Sequence, residues 1–405
     1  MLKNICFKGE ISKQRGRKMK ILHTSDLHLG KKLNGKITRY DEQIELLKEI
    51  GALCDSEGVD ILLVAGDVFD TFIPAAEAEE IFFEFLNAVS SPSRAVVIIS
   101  GNHDDWQRLS ASSSLAGKYN AYIFGGENIP SIGGGLVKAT NIGKNFVEIF
   151  KGEEGVYIGA LPYLGEIKVG EKRRDISYGE RVKEYVDSCF ASNDKNLPQI
   201  LLAHLFMLGG SKGSEERDIE LGGARIVEPS CISDDIIYTA LGHLHKRQII
   251  SAEKNVLYSG APLQYAFDEV GHEKSVTLFE ICNNSVQNLK VVPLKSGKQL
   301  AKIVAADLPT AKELLALYEN SHVHLTLKLS EVLSEVESKE LISSYPQLVD
   351  YSLEINSDMS AIEGEDRKKL NDRELFEAYY RKEYSNEVPD VILELYLKAL
   401  SEEEL

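Results

Sequence analysis

The sequence predicts an α/β fold. Five apolar, β-branched runs end at Leu22, Val64, Ile99, Leu202 and Leu241, with the length and composition of buried strands. Helical periodicity lies between the early ones, over residues 43–53 and 77–89. A polar motif follows each run, and in α/β folds ligands gather beyond the carboxyl ends of the strands.

The first convincing strand opens at Met19-Lys20-Ile21-Leu22. Residues 1–18 carry charge without strand or helix periodicity, and lack an apolar stretch long enough for a signal peptide. They read as a disordered or mis-annotated extension. The rival reading is a basic nucleic-acid arm built on Lys13, Arg15, Arg17 and Lys18. A main domain spans residues 19–285. Its later runs, 256–259 and 275–281, are further strands able to close a second sheet. The glycine-rich stretch from Gly125 to Gly135 reads as a loop and lacks the phosphate-cradling G-x-x-x-x-G-K-[ST] pattern.

The pattern changes near Val291. Strand, helix, strand, helix and strand are expected at 302–305, 311–318, 323–329, 331–343 and 350–355, giving a small α/β domain over residues 286–360. Residues 361–405 hold a charged linker (363–369) and two short amphipathic helices. Leu375, Phe376, Tyr379 and Tyr380 share a face of one; Ile392, Leu395, Tyr396, Ala399 and Leu400 share a face of the other. Pro389 suits a helix start.

Five cysteines, odd in number and without a C-x-x-C pair, argue against a disulfide framework and a thiolate zinc site. They fit small buried residues in a reducing cytoplasm. No apolar run approaches the ~20 residues of a membrane helix, so no membrane role is expected. The net charge of −17 argues against strong unaided DNA binding and for a partner that supplies part of any DNA contact.

The polar motifs are Asp26-Leu27-His28, Gly66-Asp67-Val68-Phe69-Asp70, Gly101-Asn102-His103-Asp104, Ala203-His204 and Gly242-His243-Leu244-His245. They offer seven metal-type donors: Asp26, His28, Asp67, Asn102, His204, His243 and His245. Phosphodiester hydrolysis needs two cations roughly 3.5–4 Å apart to hold the phosphate and acidify a water, and a carboxylate to bridge them. Asp67 is the candidate bridge. Asp26 and His28, and likewise His243 and His245, are two residues apart, which in extended strand points both side chains one way. Mixed oxygen and imidazole donors without thiolate suit Mn²⁺, Fe²⁺ or Zn²⁺ better than Ca²⁺.

His103 follows Asn102 directly, so the two side chains are expected to diverge. A histidine beside a metal-bound phosphate is a natural general acid, and Asp70 is placed to hold its ring in the protonated form. His322 and His324 have no carboxylate nearby in sequence and are not expected to bind metal; His272 reads as a turn residue. Each motif alone is common in structural roles, whereas five in this order have no comparable bland explanation.

In order and spacing these motifs resemble the calcineurin-like metallophosphoesterase superfamily. Thr24-Ser25-Asp26-Leu27-His28-Leu29-Gly30, Gly66-Asp67-Val68-Phe69-Asp70-Thr71 and Tyr258-Ser259-Gly260-Ala261-Pro262-Leu263-Gln264-Tyr265 are similar to the SbcD nuclease subunits, most strongly over residues 19–281. The resemblance implies a two-sheet αββα sandwich, a small capping domain that touches DNA, and C-terminal helices that bind an SbcC-type ATPase. It implies one cation on Asp26, His28, Asp67 and His245, and another on Asp67, Asn102, His204 and His243. Manganese is the implied metal and His103 the implied acid. The implied activity is exonuclease on duplex ends and endonuclease on single strands and hairpins, in a homodimer. Asp70 stands where archaeal and eukaryotic double-strand-break-repair relatives place a histidine, which favours the SbcD type.

Lys31, Lys32, Arg39, Tyr40, Arg108 and Lys246 are candidate DNA contacts by their nearness to the motifs. The helix around Ile81, Phe82, Phe83, Phe85 and Leu86 is apolar around most of its circumference: either one face meets the core and the other a second surface, such as a second copy, or the helix is fully buried. Two rivals remain. A small-molecule phosphatase or cyclic-nucleotide phosphodiesterase has no use for the C-terminal segments. A DNA-end scaffold has no use for all seven donors and His103.

Overall fold

The structure is a computed structural model that describes residues 18–125, 129–165, 176–211, 213–214, 226–329 and 333–355, and residues 373, 376, 377, 380, 381, 388, 389, 392, 393 and 396. The expected N-terminal extension (save residue 18), the charged linker and most of the terminal helices lie outside the described residues.

One sheet takes β1 (Met19–Thr24), β2 (Ile61–Ala65), β3 (Ala95–Ile99), β4 (Ala121–Phe124), β12 (Ser275–Cys282) and β13 (Ser285–Pro293). Its order is β13-β12-β1-β2-β3-β4, parallel from β1 to β4 and antiparallel at β12 and β13. A second sheet takes β5 (Val137–Ile142), β6 (Phe146–Lys151), β7 (Glu154–Leu161), β8 (Gln199–His204), β9 (Ile236–Gly242), β10 (Gln248–Ser251) and β11 (Val256–Tyr258). Its order is β10-β11-β9-β8-β7-β6-β5. The five expected strands end where their apolar runs end or one or two residues later. The sequence reading leaves β5 to β7 unassigned. Half-exposed β5, with Lys138 and Thr140 outward, carries too few apolar residues to stand out.

The inner faces of both sheets meet in one core. Ile21, Leu63, Val97 and Tyr122 from the first sheet share it with Ile158, Ile200, Leu202 and Tyr238 from the second. Tyr238 stacks on Phe279 with ring centroids 4.0 Å apart. The outer face of the first sheet, including Leu62, Val64, Val96 and Ile98, is covered by α1 (Tyr40–Glu57) and α2 (Ala76–Val89). All five residues of β2 and of β3 are therefore buried. This is why those runs are apolar throughout rather than alternating. Two short helices, α3 (Trp106–Ser110) and α4 (Ser113–Lys118), lead into β4. On the second sheet, α5 (Tyr178–Phe190) covers the outer face through Val182 and Val186. The layering is α, β, β, α.

Local chemistry sets the helix limits. Asp41 and Glu42 in the first turn of α1 suit the positive end of its dipole, and Gly58 in the left-handed conformation closes it (φ 63°). Ser177 and Glu180 form a capping box on α5. A three-stranded sheet, β14 (Gln299–Ala305), β15 (Ser321–Leu329) and β16 (Leu348–Ile355), follows, with α6 (Leu308–Leu317) and α7 (Glu335–Ser344). All five expected elements are present here.

Cys54, Cys189, Cys231 and Cys282 are buried free thiols. Among the few described C-terminal residues, the Phe376 and Tyr396 rings stack at 3.9 Å. Leu393 is 4% exposed and Ile392 39%.

Candidate metal centre

The five motifs sit at or just beyond the carboxyl ends of β1, β2, β3, β8 and β9, on both sheets. The strand rule does not account for Asp26 and His28. Both lie past the end of β1 in left-handed conformation, with φ of 54° and 43°. Asp67 (φ 50°) and His243 (φ 112°) are likewise outside the ordinary regions. Such residues cost about 1–3 kcal/mol each and persist where surroundings hold them. Here the loop after β1 is laced to the loop after β2. The Asp26, His28 and Leu29 amides donate to the carbonyls of Gly66, Asp67 and Val68 at 2.9–3.0 Å.

All seven donors are buried. His28 Nε2 and His245 Nε2 face each other at 3.1 Å. His204 Nε2 lies 2.8 Å from Asn102 Oδ1, and His243 Nδ1 lies 3.1 Å from the same oxygen. Asp67 Oδ2 stands between the two groups, 3.6 Å from His28 Nε2 and 3.5 Å from His204 Nε2. Asp26 accepts the His243 amide at 3.0 Å and the Ser25 hydroxyl, with donor atoms of His28 and His245 close by. Two glycines permit the approach. A Cβ on Gly101 would overlap the Asp67 carboxylate and amide, and one on Gly66 (φ 87°) would overlap the His204 ring.

These residues fit a pair of divalent cations. His204 Nδ1 donates to the Ala65 carbonyl at 2.8 Å, which leaves the lone pair on Nε2. That lone pair faces the Asn102 and Asp67 oxygens with no proton to share, an arrangement a cation satisfies. Protonation states agree. Burial holds His28 down at about 3 and His243 well below the usual imidazole value, so both stay neutral. Burial pushes Asp67 upward, but its carboxyl stays below the ordinary value, with the His103 amide donating to Oδ1 at 2.8 Å. Asp26 is pushed up to about 6, by burial first.

His103 diverges from Asn102, as expected. Its ring lies 4.7 Å from that of His28, edge to face. Its Nδ1 meets the Asp70 backbone carbonyl at 2.8 Å, while the Asp70 carboxylate is 3.8 Å away. That carboxylate is closer to His28 Nδ1 (3.4 Å) and Lys31 Nζ (3.1 Å). Asp70 thus contacts His103 chiefly through its backbone.

Two residues outside the predicted donor set brace the centre. Asp104 accepts the Val68, Phe69 and Gly101 amides at 3.1, 2.8 and 2.8 Å, joining the Asp67 and Asn102 loops. Burial and the Asp67 charge still push it up to about 7. Gln43 on α1 donates to the His28 carbonyl and accepts the Gly30 amide. For Gln43, a polar residue at a buried position of an amphipathic helix was the available clue.

The proposed DNA contacts divide. Lys32 and Lys246 are exposed, and Tyr40 is half-buried. Arg108 is exposed and paired with Glu79 at 2.7 Å. Lys31 is buried against Asp70. Arg39 is also buried, with its guanidinium on Glu42 and the Gln264 carbonyl, which turns it away from any phosphate. Among the described residues, His322 and His324 belong to no cluster of metal-type donors.

Comparison with known proteins agrees with this geometry. Residues 19–247 match the family described as calcineurin-like phosphoesterase. The SbcD subunit of the nuclease SbcCD from Bacillus subtilis (strain 168) is 32% identical, over 95% of this chain and 98% of that protein. Its counterpart of the same name from Staphylococcus epidermidis is 28% identical over 90% of this chain and 93% of its own. That from Rhodobacter capsulatus is 31% identical over 74% and 75%. The chain belongs to the calcineurin-like phosphoesterases and, within them, to the SbcD nuclease subunits.

Proposed function

We propose that this nuclease subunit holds two divalent cations, manganese in the cell, and cuts DNA phosphodiester bonds at them. The observation that carries the reading is Asp67 Oδ2, set about equally far from His28 Nε2 and His204 Nε2. Asp26, His28, Asp67 and His245 would hold one cation; Asp67, Asn102, His204 and His243 the other. Bound there, the pair would offset phosphate charge and supply a hydroxide at neutral pH.

The chain's own residues do the rest. Neutral imidazoles and an ionised Asp67 are the donor states required. His103 Nδ1–H donates a hydrogen bond to the Asp70 carbonyl, so a transferable proton sits on Nε2 only in the imidazolium. Asp70 supplies the countercharge. His103 Nε2 then protonates the leaving oxygen. Lys32, Tyr40, Arg108 and Lys246 remain candidates for substrate contact.

The likeness to subunits of a named two-part nuclease supports an SbcC-type ATPase partner, bound by the C-terminal helices. It supports DNA ends and hairpins as substrates, with residues 286–360 as the capping domain that touches them. The exposed Phe83 on α2 (47%) favours a homodimer through that face. An apolar groove of about 480 Å³ beside it, lined by Ile44, Leu47, Ile81 and Phe85, adds to that case. Buried free thiols agree with a reducing cytoplasm. Among the described residues, no helix is long and apolar enough to cross a membrane.

The test is cleavage of an end-labelled hairpin duplex with Mn²⁺, with Mg²⁺ and with chelator. Manganese-dependent cuts are expected, abolished in His103→Ala although that variant still binds metal. Loss of bound metal in His103→Ala would contradict its role as acid.

A further inference from the structure

Behind His245 stands a buried carboxylate, Glu269, at the end of the 3-10 turn Phe267–Glu269. Its Oε1 lies 3.6 Å from His245 Nδ1 and accepts the Tyr265 and Ala266 amides at 3.0 and 3.2 Å. Its Oε2 accepts from Lys274 Nζ. The same Nζ donates to the His245 carbonyl at 3.1 Å. One buried ion pair therefore flanks both the ring and the backbone of His245. The other ring nitrogen, Nε2, faces His28 and the centre.

We propose that Glu269 is a positioning residue for His245, an inference that rests on the two-cation reading and deepens it. At 3.6 Å the pair acts through charge rather than a full hydrogen bond. A carboxylate on that side favours the proton on Nδ1 and leaves the Nε2 lone pair aimed at a cation. Lys274 and the two amides between them occupy both oxygens of the buried carboxylate.

The turn that carries Glu269 is itself set by the small sheet. Phe267 shares an apolar cluster with Leu33, Leu300 and Val349, and its ring lies 5.4 Å from that of His324. Gln264 Nε2 donates to the Glu269 carbonyl at 2.9 Å, and its Oε1 accepts the Leu300 amide of β14 at 3.0 Å. A displacement of β14 would carry the carboxylate away from His245. The small sheet thereby reaches the metal centre without contributing a donor to it.

Calorimetric titration of Mn²⁺ into the metal-free full chain tests this. The unmodified chain is expected to bind two ions; if it does not, the two-cation reading fails rather than this inference alone. Glu269→Gln is expected to weaken one of the two by about 10- to 100-fold and leave the other nearly unchanged. The absorption bands of Co²⁺ in the weakened site are expected to move, which a brace for the turn alone would not cause. Unchanged affinities in folded Glu269→Gln would overturn the proposal. So would equal weakening at both sites with a lowered melting temperature in chelator. Should Glu269→Gln not fold, Gln264→Leu replaces it, with the same single-site loss expected and equal affinities overturning the idea.

Discussion

His322 Nε2 and Glu42 Oε1 are 2.7 Å apart, although 280 residues separate them in the chain. The pair fastens β15 of the small sheet to α1 of the main body. Arg39 grips the same carboxylate, and the Lys298 amide donates to it at 2.7 Å. Burial alone would raise the Glu42 carboxyl, but these partners hold it well below the usual glutamate value.

Acid stability follows from that sign. A carboxyl depressed in the folded state contributes its full stability above the unfolded value of about 4.3 and loses it as pH falls toward the folded one. Glu42→Gln is expected to cost about 2 kcal/mol at pH 7. The cost should shrink steadily below pH 4. Urea unfolding midpoints at pH 7, 5 and 3.5 measure both; a pH-independent difference would contradict the account.

Asp104 ties two loops through three buried amides. Asp104→Ala leaves those donors unmet at about 1–3 kcal/mol each. A fall of several kcal/mol in stability is expected, together with loss of metal at the bridging position. Thermal unfolding with and without Mn²⁺ reads both effects; an unchanged melting temperature would refute the brace.

Gly101→Ala brings a Cβ onto the Asp67 carboxylate. Because the collision includes the Asp67 amide, side-chain rotation cannot relieve it. Nuclease activity is expected to fall at least 100-fold, with metal stoichiometry reduced by inductively coupled plasma analysis. Full occupancy of two ions would show that the loop can yield.

Arg39 and the exposed lysines should behave oppositely. Lys32→Ala and Lys246→Ala are expected to lower the salt dependence of DNA binding by about 0.9 per lost phosphate contact. Arg39→Ala should leave that slope alone and lower stability, since its guanidinium serves Glu42 and Gln264. Binding isotherms between 50 and 200 mM salt, beside urea melts, separate the two classes.

The sequence by itself determined the α/β class, the five motif-bearing strands and the choice of the seven candidate donors. These are local signals: a strand buried on both faces must be apolar along its length, and donor atoms belong to particular residue types. Tertiary structure alone decided how the donors meet. Asp26, His28 and Asp67 reach one another from left-handed conformations that local preference disfavours, and the amide lacing between neighbouring loops imposes them. It also decided the bracing set. Asp104, Gln43, Glu269 and His322 are common residues whose roles arise from partners distant in sequence, and burial among those partners gives an ordinary carboxylate or imidazole its particular charge and task. Arg39 marks the same limit from the other side. Its basic chemistry beside the motifs suggested a phosphate contact, and only the fold turned it inward onto Glu42.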